Sequence, residues 1–236
     1  MTTALTELTT TESKEIVPIN LSDPFAAYAD AIAPQYIIGE MLRFSKGDYI
    51  VGQNDTVSIG TTFTVNLDEL MAGWIKWLDN KPVEHIMVRV ADGAPPKKRS
   101  DLGDDDKTLW ELDNQGKARD PWQFTNYLPL MNEKGELFTF TTSSRGGLGA
   151  IADLSRRYAR HRKRRPNVFP VIALNVDSYQ HKIRELGRIK FPVFEPAGYA
   201  PKNDFLTALA GAGLIAAEPE TAEADPKDEF NDQVPF

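Results

Sequence analysis

Cysteine is absent from this chain, and histidine occurs three times, at His85, His161 and His181. Without cysteine there is no disulfide and no thiolate metal site. Three widely separated histidines argue against a histidine-rich zinc centre. No metal and no cofactor is therefore expected. No apolar run reaches the roughly 20 residues of a membrane-spanning helix. The opening residues, MTTALTELTTTESKE, carry acids and lack the basic start and apolar stretch of a secretory signal. No membrane association is expected. Nor do the rigid elements offer a Ser-His-Asp set or a pair of catalytic carboxylates, so the reading is non-catalytic.

What is present is ordinary globular material with an uneven charge. Of 236 residues, 41% are hydrophobic and 26% charged, enough for a sizeable core. The net charge is -7. Residues 216–236 hold seven acids against one base, a net -6. Residues 145–165 hold eight bases against one acid, a net +7. An acidic tail on a body with a concentrated basic patch is the pattern to explain.

Three regions are expected: a disordered N-terminal segment over 1–23, a β-rich nucleic-acid-binding domain over 24–200, and a weak helix with a disordered acidic tail over 201–236. Residues 24–40 suggest a short helix broken by Pro34. MLRF and YIVG flank the turn SKGD, which reads as a hairpin. TVSIGTTFTV reads as a strand with a bend at Gly60. LDELMAGWIKWL fits both a helical stripe and a hairpin arm, and we favour a short helical turn followed by a strand from Gly73. Residues 92–121 form a long polar loop. WQFTNYLPLM and ELFTFTTSS, joined by NEKG, form a hairpin. VFPVIALNVDSYQ and RIKFPVFEPAGY complete the strands. The fold class expected is mainly β (α+β), an OB-like barrel or related β-barrel with one basic helix.

That helix follows the glycine-rich turn SSRGGLGA and must end before Pro166. On a helical wheel, Leu148, Ile151, Ala152, Ser155, Tyr158 and Ala159 fall on one side. Arg156, Arg157, Arg160, Lys163 and Arg164 share an arc of roughly 120° on the other. Cations so spaced repel one another, and interleaved acids are nearly lacking. Phosphates would relieve the repulsion, and arginine's planar fork suits them. Arg145 in the turn joins this set. Single strands are gripped by aromatic platforms beside a cationic groove. Phe138 and Phe140 share one face of a strand. Trp110 and Trp122 border the long loop, near the cations Lys97, Lys98 and Arg99. These are the candidate stacking and phosphate residues. Most aromatics of a β-rich domain are simply core, and the glycine-rich turn matches neither the Walker nor the dinucleotide pattern.

The same loop carries DLGDDDK. Aspartates beside Lys107 can bind Mg²⁺ and support phosphodiester hydrolysis, which makes a metal-dependent nuclease the first alternative. Contiguous aspartates in a solvated loop do not readily converge on one ion. The second alternative is an adaptor that binds RNA or acidic protein.

The C-terminal stretch DEFNDQVPF resembles the acidic tip of bacterial single-stranded-DNA-binding proteins, which end in acids followed by Ile-Pro-Phe. Asp232, Pro235 and Phe236 match, Val234 replaces isoleucine, and Asn231 and Gln233 depart from the acidic pattern. The resemblance covers nine residues. Some phage single-stranded-DNA-binding proteins likewise end in acids and a terminal Phe, and DPWQ and FTFTTSSRGG are similar to phage or prophage proteins. The resemblance implies sequence-independent binding of single-stranded DNA in phage or prophage replication or recombination, in the bacterial host cytoplasm. It also implies recruitment of replication and repair proteins by Asp232, Val234, Pro235 and Phe236.

Overall fold

A computed structural model describes residues 36–113, 116–182 and 187–214, all within one compact unit. The short helix expected around Pro34, the N-terminal segment 1–23 and the acidic tail lie outside the described residues. Among the described residues, ten strands and two helices follow in chain order. They are β1 (Glu40–Ser45), β2 (Asp48–Val51), β3 (Asp55–Val57), β4 (Thr62–Val65), β5 (Met71–Leu78), β6 (Lys81–Arg89), β7 (Trp122–Met131), β8 (Leu137–Thr142), helix α1 (Arg145–Arg162), β9 (Val168–Gln180), β10 (Arg188–Pro201) and helix α2 (Lys202–Gly211).

The mainly β expectation holds. The strands form one open sheet in the order β10-β9-β4-β7-β8-β1-β2-β3, with β5 and β6 branching from the first half of β7. Five of them, β10, β9, β4, β7 and β8, are neighbours in that order, with α1 between β8 and β9 in the chain. β1 extends the open sheet by pairing, in parallel, with the edge of β8. The two ends of the sheet still curl toward each other across the core. Tyr49 of β2 donates its hydroxyl to the carbonyl of Asn175 on β9 at 2.8 Å. Phe140 of β8 meets Phe194 of β10 edge-on at 5.3 Å.

Local sequence sets the turns. Lys46-Gly47 between β1 and β2, and Asp79-Asn80 between β5 and β6, all have positive φ. Two such residues in a row make the tight hairpin turn whose twist suits antiparallel strands. Asn66 caps a 3-10 turn over Leu67–Glu69 by accepting from the Asp68 and Glu69 amides, and β5 starts directly after it at Met71. The helical-turn-then-strand reading of this ambiguous stretch is therefore the one adopted, with the strand starting two residues earlier. The stretch read as one strand around Gly60 is two, β3 and β4.

The core joins Leu42, Tyr49, Phe63, Val65, Leu128, Leu130, Phe138, Phe140, Ile172, Leu174 and Phe194 from the sheet to Ile151, Leu154 and Tyr158 of α1. Phe205 and Leu209 of α2 are buried in the same cluster. The boundary expected at residue 201 thus falls inside the packed domain: α2 is one of its core elements.

Candidate nucleic-acid interface

Helix α1 is anchored at its start. The Ser144 hydroxyl caps it by accepting from the Gly147 amide at 3.1 Å. An added Cβ at Gly147 would lie 2.0 Å from Thr142 Oγ1, and one at Gly146 would lie 2.6 Å from Phe191 Cβ. These two glycines let the helix sit against β8 and β10. They serve close packing, which accounts for two of the three glycines of the turn without a phosphate. Further along, Ile151, Leu154 and Tyr158 are buried. Tyr158 donates its hydroxyl to Asp68 at 3.1 Å, and Lys202 pairs with the same carboxylate. The wheel placed Ala159 on the apolar side and left out Leu154. In the fold Ala159 is exposed and Leu154 is core.

The opposite face is as expected. Arg145, Arg156, Arg157, Arg160, Lys163 and Arg164 are all exposed. One acid does interleave: Asp153 forms an i,i+3 ion pair with Arg156. The other five of these cations have no carboxylate partner among the described ion pairs.

A cleft of about 620 Å³ runs between α1 and the β9–β10 hairpin. Arg145, Gly149, Asp153 and Arg157 line one wall, four residues apart and so on one row of the helix. Tyr179, Ile189, Lys190 and Phe191 line the other. The rings of Tyr179 and Phe191 lie 6.1 Å apart at 45°, and Tyr179 is half exposed. The cleft thus combines three cations with two aromatic rings. Sequence reasoning found its helical wall and missed its strand wall. The missed signal is Lys190 with Phe191 and Tyr179, which only the fold brings beside α1.

Three aromatic candidates are corrected. Phe138 and Phe140 do share a strand face, but that face is the core, where they are 9% and 0% exposed. The outer face of β7 and β8 is overlaid by the chain itself: Tyr36 stacks on Tyr127 at 6.1 Å, and the Ile38 amide donates to Thr139 Oγ1 at 2.7 Å. Trp122 is 4% exposed and donates Nε1 to Asp104 at 2.8 Å. A base cannot stack on a buried ring.

The long loop is an ordered cover over β5 and β7. Arg99, another candidate, is consumed within it. Its Nε donates to both oxygens of Asp120, at 2.8 and 3.1 Å. Its other nitrogens donate to the carbonyls of Gly103 and Asp104, at 2.7 and 3.2 Å. Trp110 lies under Arg99 and Lys107, at 5.9 and 5.8 Å, and donates Nε1 to the Asp104 carbonyl. Lys97 and Lys98 are exposed. None of Trp110, Lys97, Lys98 and Arg99 lines the α1 cleft; Trp110 borders a separate hollow of about 200 Å³ with Trp77.

The loop aspartates diverge. Asp104 bonds Lys76 at 2.8 Å and Trp122, Asp105 meets Arg99 at 3.3 Å, and Asp106 accepts from Thr108 at 2.9 Å. The Lys76 and Trp122 hydrogen bonds hold the Asp104 carboxyl below the usual aspartate range. Among the described residues no group of three His, Asp or Glu side chains is placed to hold a metal ion. A hollow of about 920 Å³ beside α2 has Glu40, Glu133 and Asp204 in its lining against a single Lys134, a poor match for a polyanion.

The partner-binding residues Asp232, Val234, Pro235 and Phe236 lie outside the described residues. No helix among the described residues is long and apolar enough to cross a membrane. No protein-family model, no curated protein and no solved structure matches the chain.

Proposed function

We propose that this chain is a non-catalytic, sequence-independent single-stranded-DNA-binding protein. The strand follows the cleft between α1 and the β9–β10 hairpin. The observation that carries this reading is that one cleft brings Arg145, Arg157 and Lys190 together with the rings of Tyr179 and Phe191. Cations beside aromatic platforms are what a flexible single strand needs. A duplex keeps its bases stacked inside and has no use for the rings. The strand order β10-β9-β4-β7-β8, with α1 before β9, is that of an OB-type fold, which supports the same reading.

The exposed cations Arg160, Lys163 and Arg164 extend the basic track beyond the cleft. The resemblance of residues 228–236 to bacterial tips supports a second part of the reading, capture of replication or repair proteins. It also supports the setting, phage or prophage replication or recombination in a bacterial cytoplasm. The test is titration of the full chain with labelled single- and double-stranded oligonucleotides across a range of salt. Arg145→Ala, Arg157→Ala and Lys190→Ala should each weaken single-strand binding and each lower the salt slope by about 0.7. Unchanged affinity in all three would remove the cleft from the reading.

A further inference from the structure

Three glycines open helix α1, and packing explains two of them. Gly146 and Gly147 are pressed against Phe191 and Thr142. Gly149 is different. A Cβ built on it would meet nothing within 4 Å, and its φ is not in the left-handed region. Inside a helix, glycine is the least favourable residue after proline, because it restricts the unfolded chain least. Nothing within the protein requires that cost at this position. The space left by the missing side chain opens into the cleft, on the row between Arg145 and Asp153 and across from Phe191 and Tyr179.

We propose that Gly149 keeps open a slot for one nucleobase of the bound strand, between the bare helix backbone and the rings of Tyr179 and Phe191. This rests on the single-strand reading above and adds to it where a base sits. A flat base touches the atoms above and below it at roughly 3.5–4 Å. A methyl group on the helix side would stand inside that layer. Glycine is the residue that lets a ligand approach backbone closely. The phosphates on either side of the inserted base then face Arg145, Arg157 and Lys190, which is where the cations stand. Asp153 is consistent with the same arrangement: Arg156 offsets its charge through one oxygen, and beside a base the carboxylate can accept a hydrogen bond from an exocyclic amine.

The decisive variant is Gly149→Ala, because the protein itself should welcome it. Alanine meets no neighbour and favours the helix, so Tm should rise by about 2–4 °C. Binding of a base-bearing single-stranded oligonucleotide should nevertheless weaken, by roughly five- to a hundred-fold if one stack is lost. An abasic oligonucleotide of the same length should bind wild type and variant alike, since only its phosphates are held. Gly149→Leu should deepen the loss for the base-bearing strand alone. If Gly149→Ala and Gly149→Leu both bind the base-bearing strand as tightly as wild type, the slot is overturned while the single-strand reading stands. Equal losses on the base-bearing and abasic strands would also overturn it, since the effect would then lie in the phosphate track. If wild type binds neither strand, the single-strand reading fails first and takes the slot with it.

Discussion

At the scale of single residues, the side chains that look most like ligand contacts in the sequence are often the ones the fold consumes. Arg99 sits in a basic run, yet its fork is filled by Asp120 and two carbonyls. Lysine has the charge without the fork. Arg99→Lys should therefore fail to hold the loop, and hydrogen exchange over residues 97–120 should speed up although the net charge is unchanged. Asp104 makes a second residue-scale prediction. Its carboxyl is held below the ordinary aspartate value of about 3.9. A depressed folded value means that the stability it contributes is present above the unfolded value. That stability is lost as pH falls through the folded value beneath it. Trp122 emission should stay constant down to about pH 4 and change only below it. In Asp104→Asn, which lacks the charge at every pH, that acid step should be absent.

At the scale of elements, patterns of period two and of helical period were legible, and orientation was less so. The hairpins β1–β2 and β7–β8 were readable from their turn residues and the strand segments around them, and β9 and β10 as strands without their pairing. Helix α1 was readable from its stripe and from Pro166. Which face of β8 is core could not be read, because Phe138 and Phe140 suit a core and a stacking platform equally well. The neighbour of α1 could not be read either, since β10 lies more than 25 residues away in sequence and pairs with α1 only in the fold. The glycine-rich turn gives an element-scale test. Gly147→Ala should destabilise the domain by roughly 1–3 kcal/mol in urea, since the new methyl must displace the buried Thr142. Tyr49 tests the curl of the sheet. Its hydroxyl is buried against Asn175 and Val193, and burial pushes its phenol well above the ordinary range. Tyr49→Phe should cost about 1 kcal/mol and loosen β2 from β9 without altering the strand order.

At the scale of the whole molecule, charge separation remains the dominant feature. The segment 145–165 carries a net +7 and residues 216–236 a net -6. On the proposed reading, the same carboxylates compete with phosphate for the basic segment. Removing residues 218–236 should therefore tighten single-strand binding, most strongly at low salt where screening is weakest. The sequence made this polarity plain. It could not show that Tyr179, Lys190 and Phe191 complete the cleft, because they belong to a hairpin whose position is set by the order of the sheet. The most direct measurement is the affinity of the full chain for a labelled single-stranded oligonucleotide as salt is varied, with a duplex of the same sequence alongside. With five to seven phosphates neutralised, log K should fall against log salt with a slope of about -3.5 to -5. Single strands should be preferred, and the combined Arg145→Ala, Arg157→Ala and Lys190→Ala variant should lose about 2 units of that slope. A flat salt response, or tighter binding of the duplex, would contradict the account.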